Sequence, residues 1–129
     1  MGLKVNTNVV VRINEGNDPQ APCETFFIAK ITQKPWTLQA NERVAGIVQK
    51  KGYQIVAFNW YEYERTDGNG DFLYRLDDHH PEVEYPATAV VSTATKYVAN
   101  FRYDAGKLLY RMPRADVEKI ERYCDLSSK

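Results

Sequence analysis

The sequence predicts a mostly β fold: one bent barrel with an additional hairpin and a short C-terminal helix. Three observations carry that reading. Aromatic residues reach 12% with nine tyrosines, and valine, isoleucine and threonine recur in short runs. Those residue types suit a pleated, half-buried surface. Clusters of turn residues, Asn14 to Pro19, Asp67 to Gly70 and Asp104 to Gly106, punctuate the runs. Only the C-terminal stretch changes to a helical period.

The first strand is expected over Val5 to Ile13, with Val9, Val11 and Ile13 on one face. Thr25 to Ile31 reads TFFIAKI and is apolar on both faces, so it should be central or strongly bent. Lys34-Pro35-Trp36 interrupts it, because proline cannot donate to a ladder. A weaker strand covers Arg43 to Gln49. Tyr53 to Tyr63, YQIVAFNWYEY, is the clearest element: its first half is apolar on both faces and its second half alternates. Asp67-Gly68-Asn69-Gly70 supplies the reversal, and Phe72, Tyr74 and Leu76 return with period two. Centred on Gly68 and Asn69, this hairpin sets Tyr63 opposite Tyr74 and Glu62 opposite Arg75.

A second hairpin echoes the first. Arg65-Thr66-Asp67 leading to Leu73-Tyr74-Arg75-Leu76 is matched by Arg102-Tyr103-Asp104 leading to Leu109-Tyr110-Arg111-Met112. The spacing differs by one residue, which makes it an echo of good hairpin chemistry rather than a repeat array. The chain closes with Pro113 to Cys124, where Val117, Ile120 and Cys124 fall on one helical stripe. Proline suits a first helical turn, and early acids with a late Arg122 agree with the helix dipole.

With 129 residues, one domain spanning 1–129 is expected, itself a part of a longer protein. Hydrophobic residues at 43% and charged residues at 26% exclude a disordered or fibrous chain. The apolar runs are too short to span a membrane, and no secretory signal pattern opens the chain. Cys23 and Cys124 cannot form a disulfide framework and read as reduced thiols, so an intracellular protein is expected. The balance of 17 basic and 17 acidic residues hides a pattern. Residues 1–61 carry a net +3, residues 62–85 a net −6 and residues 86–129 a net +3. An acidic middle favours a cationic ligand over a polyanion.

Catalytic chemistry finds little footing. Asp67-x-Asn69-x-Asp71 opens like a calcium loop, but the sixth and twelfth positions hold Phe72 and Asp78 where glycine and glutamate belong. A hairpin turn explains these residues better. Asp77-Asp78-His79-His80-Pro81-Glu82 is the one His/carboxylate cluster, and adjacent histidines on an extended chain point apart. A solvated loop is the expectation there. Phosphate-cradling glycine motifs are missing. The chain is therefore expected to be no enzyme and to need no cofactor or metal.

The order of the elements resembles the small SH3-like barrels of chromatin proteins, the Tudor, chromo-barrel and BAH group. The matching parts are Val5 to Ile13, then Phe26-Phe27-Ile28-Ala29-Lys30-Ile31, then Ile55 to Tyr61. BAH domains in particular share an aromatic-Ile-Ala-basic-Ile strand, a later strand ending in Trp-Tyr, and an ending like Ile120-Glu121-Arg122-Tyr123-Cys124. The resemblance implies a nuclear, non-catalytic reader or adaptor that docks a peptide, such as a histone tail. Added to the residue chemistry, it nominates Trp60, Tyr61, Glu62, Tyr63, Tyr74 and Asp77 as the surface for a basic peptide. Rings there would attract a cation, and the neighbouring carboxylates would add long-range attraction. A nucleic-acid-binding barrel and a self-associating domain are the alternatives. A competing account packs the tyrosine face against Phe101, Tyr103 and Tyr110, leaving it closed.

Overall fold

A computed structural model describes residues 4–13, 25–79, 81–91 and 97–127. The turn expected at Asn14 to Pro19, Cys23 and His80 lie outside the described residues, as do the side chains of Ile13 and Cys124. In chain order the strands are β1 (Asn8–Ile13), β2 (Thr25–Ile31), β3 (Trp36–Thr37), β4 (Glu42–Val44) and β5 (Ile47–Gln49). After them come β6 (Gln54–Thr66), β7 (Phe72–Leu76), β8 (Val83–Pro86), β9 (Arg102–Asp104) and β10 (Leu109–Met112). The C-terminal α-helix, α1 (Arg114–Ser127), follows. The fold is mostly β, with one curled half-barrel sheet and a short C-terminal helix, as the composition and periodicity predict.

The sheet runs β1-β2-β6-β7-β10-β9, with β3 and β8 also paired to β6. Strand β6 is its axis. Ile31 and Trp36 face its first half along one edge, and β8 faces Ile55 to Phe58 along the other. Beyond Trp60 that second edge passes to β7. One long strand thus belongs to two halves of a curled sheet, which explains why its first half is apolar on both faces. Ile55, Val56, Ala57 and Phe58 are all 0% exposed. Burying the isoleucine, valine and phenylalanine side chains stabilises by roughly 1.5–3 kcal/mol each.

Several local expectations are corrected. Strand β1 starts at Asn8, after a turn in which Asn6 takes φ 68°. It is also closed on both faces, since Val10 is as buried as Val9 and Val11. Val10 belongs to the same core as Ile28, Val117 and Ile120. The weak strand expected over Arg43 to Gln49 is instead the hairpin β4–β5. Its two turn residues, Ala45 and Gly46, both have positive φ (54° and 82°), the geometry a tight hairpin requires. Alanine in the first of those places conceals the turn from a sequence reading.

The main hairpin keeps the expected register, Tyr63 opposite Tyr74 and Glu62 opposite Arg75. The pairing slips between Tyr63 and Arg65, leaving Glu64 bulged and moving the tip by one residue. Glu64 then reaches the same arginine as Glu62, with Arg75 2.7 Å from Glu62 and 3.2 Å from Glu64. The echoed second hairpin is present, and β10 pairs with β7 so that Tyr110 lies opposite Tyr74.

The two tips are locked together by Arg111. Its guanidinium pairs with Asp67, with Asp71 at 3.1 Å and with Asp104 at 2.7 Å. The residues that resemble a calcium loop are a turn stabilised by its own side chains. Asp67 Oδ1 accepts the amides of Asn69 and Asp71, while Asp71 Oδ1 accepts the amide of Arg114 at the start of α1. Gly70, at φ 86°, adopts the left-handed backbone that the tip requires.

Asp67 and Asp104 titrate below the usual carboxylate range, first because Arg111 donates hydrogen bonds to them. A carboxylate held lower in the folded chain binds fewer protons there than in the unfolded chain. Its stabilisation is therefore full above ~4 and is lost as pH falls through the folded value. Urea unfolding of the parent should weaken steeply on acidification below ~4. Arg111→Met should lower the midpoint at neutral pH and flatten that acid dependence. An unchanged midpoint and acid limb in the variant would show that Arg111 holds nothing.

Candidate functional site

Neighbouring residues on a strand project to opposite faces, and this divides the six nominated residues. Trp60 and Glu62 lie on one face of β6, and Tyr61 and Tyr63 on the other. Asp77 sits across from Trp60, donating its amide to the Trp60 carbonyl at 2.8 Å. Tyr74 faces Tyr63.

The tyrosine face is closed along most of its length. Tyr61 is 3% exposed and Tyr74 7%. The Tyr61 ring meets Phe101 and Tyr110 edge-on at 4.8 and 4.9 Å, and Tyr74 meets Phe101 at 5.9 Å. Tyr103 in turn contacts Tyr110 at 5.1 Å. The second hairpin continues the sheet beside the first, and its Tyr110 together with Phe101 closes over these rings, so Tyr61 and Tyr74 are core side chains and offer no contact surface. Tyr61 still satisfies its hydroxyl, donating to Asn8 Oδ1 at 2.7 Å. Burial and then the nearby Tyr110 push its pKa up against the opposing pull of the Asn8 hydrogen bond, while burial and then Tyr63 and Glu121 push Tyr74 up to about 12. Both hydroxyls are neutral across physiological pH.

Tyr63 alone of the three stays open, 50% exposed. Its ring contacts Phe72 at 5.4 Å, and its hydroxyl shares a 2.6 Å hydrogen bond with Thr66.

The opposite face holds a second aromatic group that the sequence reading found only in part. Trp60 meets Phe27 at 5.0 Å, Phe58 at 4.8 Å and Tyr85 at 5.8 Å. Phe58 is fully buried and forms the floor. Phe27 is 43% exposed, and Trp60 and Tyr85 are half-buried. These rings form an open shelf. Because they touch one another, a ligand would lie across them rather than stand enclosed between them. Phe27 carries a readable signal: in a strand apolar on both faces it has no partner layer assigned. Tyr85 has none, since β8 follows a polar loop and is only four residues long.

The acids of residues 62–85 have divided loyalties. Asp67 and Asp71 are engaged by Arg111, and Glu62 and Glu64 by Arg75. Glu82 accepts hydrogen bonds from Thr32 and Gln33. Asp77 and Glu62 are the two carboxylates nearest in register to Trp60. His79 is exposed in the loop beyond β7. Among the described residues, no group of three metal-ligating side chains comes together. Nor is any helix among them long and apolar enough to cross a membrane.

The split between the faces has a direct consequence for stability. Tyr61→Ala should cost ~3–5 kcal/mol, as truncation of a large core aromatic does, whereas the half-exposed Tyr63→Ala should cost about 1 kcal/mol. Chemical denaturation of the two variants checks this. Equal losses would mean that the two tyrosines share one environment.

No protein-family model matches this chain, and no curated protein or solved structure aligns with it.

Proposed function

We propose that the chain is a non-catalytic recognition module that docks a basic peptide across the shelf of Phe27, Trp60 and Tyr85. The observation that supports it most is the juxtaposition of these part-exposed rings with Glu62 and Asp77 on the same face. An aromatic face attracts a lysine or arginine head by ~0.5–2 kcal/mol, with tryptophan the strongest. The net −6 of residues 62–85 draws a basic segment toward this side of the molecule. Of the six nominated residues the reading keeps Trp60, Glu62 and Asp77, and it adds Phe27 and Tyr85.

The resemblance to SH3-like chromatin readers favours a histone-tail-like ligand and a nuclear protein. A curled half-barrel closed by a short helix is compatible with that group, though such an architecture hosts many functions. Self-association is a second reading, favoured by β9. Among the described residues that strand ends the sheet, and Tyr103 on it and Leu108 in the turn that follows are 52% and 73% exposed. Light scattering across a concentration range separates it from peptide docking.

The test is anisotropy of labelled lysine-rich and glutamate-rich peptides of equal length, titrated with the full chain. The lysine-rich peptide should bind and weaken with salt. Phe27→Ala, at an exposed position the fold tolerates, should weaken it by ~0.5–2 kcal/mol. Equal binding of the two peptides, or an unaltered affinity for Phe27→Ala, would contradict the proposal. So would preferential capture of an oligonucleotide with a steep salt dependence.

A further inference from the structure

A second concavity lies on the tyrosine face, between the tip of the main hairpin and α1. It encloses about 350 Å³, the lower end of the range for small-molecule clefts. Phe72 and the buried Val117 make its apolar floor. Tyr63 holds two of the lining residues, sharing a hydrogen bond with Thr66 and a ring contact with Phe72.

The charged lining is what distinguishes the cleft. Arg114, Glu118 and Glu121 follow one another at four and three residues and form one stripe of the helix. Arginine and glutamate at such spacing ordinarily pair. Among the described residues, none of these three groups forms an ion pair. The cause is visible at the hairpin tip. The Arg114 side chain is drawn over Gly70, its Cδ and Nη1 3.2 Å from where a Cβ on that glycine would stand. The guanidinium is thereby held at the Gly70 end. Glu118 and Glu121 stand ~6 and ~10 Å further along the helix axis.

We propose that this cleft binds a small zwitterion of amino-acid to dipeptide size. Its carboxylate lies toward Arg114, its ammonium toward Glu118 and Glu121, and its apolar side chain on Phe72 and Val117. A simple anion would meet two carboxylates, and a simple cation would meet the arginine. A purely apolar guest would cover three charges without pairing them, which is costly. A ligand with both charges and an apolar body satisfies every part of the lining. The cleft lies on the face away from the Trp60 shelf, so this inference stands apart from peptide docking.

The experiment is a ¹⁵N nuclear magnetic resonance titration of the full chain with four probes: L-leucine, glycyl-L-leucine, isopentylamine and 4-methylpentanoate. One or both zwitterions should give saturable shifts at the amides of Gly70, Phe72 and Val117. The amine and the acid, each lacking one charge, should bind at least about tenfold more weakly. Arg114→Gln and the double variant Glu118→Gln/Glu121→Gln alter exposed side chains and should leave the parent spectrum otherwise intact. Each should weaken zwitterion binding by about tenfold. No saturable shift with either zwitterion would overturn the proposal. Equal binding of the amine or the acid would overturn it too, as would variants that bind like the parent.

Discussion

The alternation of side chains along β6 is the constraint on which the rest depends. Thirteen residues of extended chain, Gln54–Thr66, pair with β2, β3, β7 and β8. Every neighbour must present apolar groups to whichever face of β6 it meets. Along Ile55 to Phe58 both faces are covered, so the strand has no polar side there. From Trp60 onward the coverage becomes one-sided. There the period of two decides the chemistry, because Tyr61 turns into the core and Trp60 remains at the surface.

The acidic character of the middle segment is used first for architecture. Arg111 gathers Asp67, Asp71 and Asp104, so two tips and the start of α1 share one cation. Asp67 and Asp104 occupy corresponding places in the two echoed hairpins, which gives the echo a structural use. A half-buried arginine with three carboxylates in reach keeps its charge, and its pKa is raised by those same partners. Around Trp60, Glu62 is in turn engaged by Arg75. The attraction of this side for a cation is therefore smaller than the net charge of residues 62–85 implies.

Much of this architecture is legible in the sequence. Strand β2, the hairpin register at Tyr63 and Tyr74, and the helix after Pro113 follow from local patterns, and each is local in origin. Other features are not. The turn at Ala45-Gly46 carries an alanine where asparagine would announce it, and β8 is too short to show a period. The docking of β10 on β7 joins residues far apart in sequence, and it decides that Tyr61 and Tyr74 are covered by Phe101 and Tyr110. Local pattern places those tyrosines on one face and offers Phe101, Tyr103 and Tyr110 as its cover in one of two accounts, but it cannot choose between that packing and an open surface. Phe27 and Tyr85 were missed as partners of Trp60 for the same reason, since strand pairing rather than spacing brings them together.

The central claim is that β6 separates a closed tyrosine face from an open tryptophan face. Aromatic nuclear Overhauser contacts test it most directly. The account predicts cross-peaks from the Trp60 indole to the rings of Phe27 and Tyr85, and from the Tyr61 ring to those of Phe101 and Tyr110. Contacts from Trp60 to Phe101 or Tyr110, or a Tyr61 ring without either partner, would contradict it.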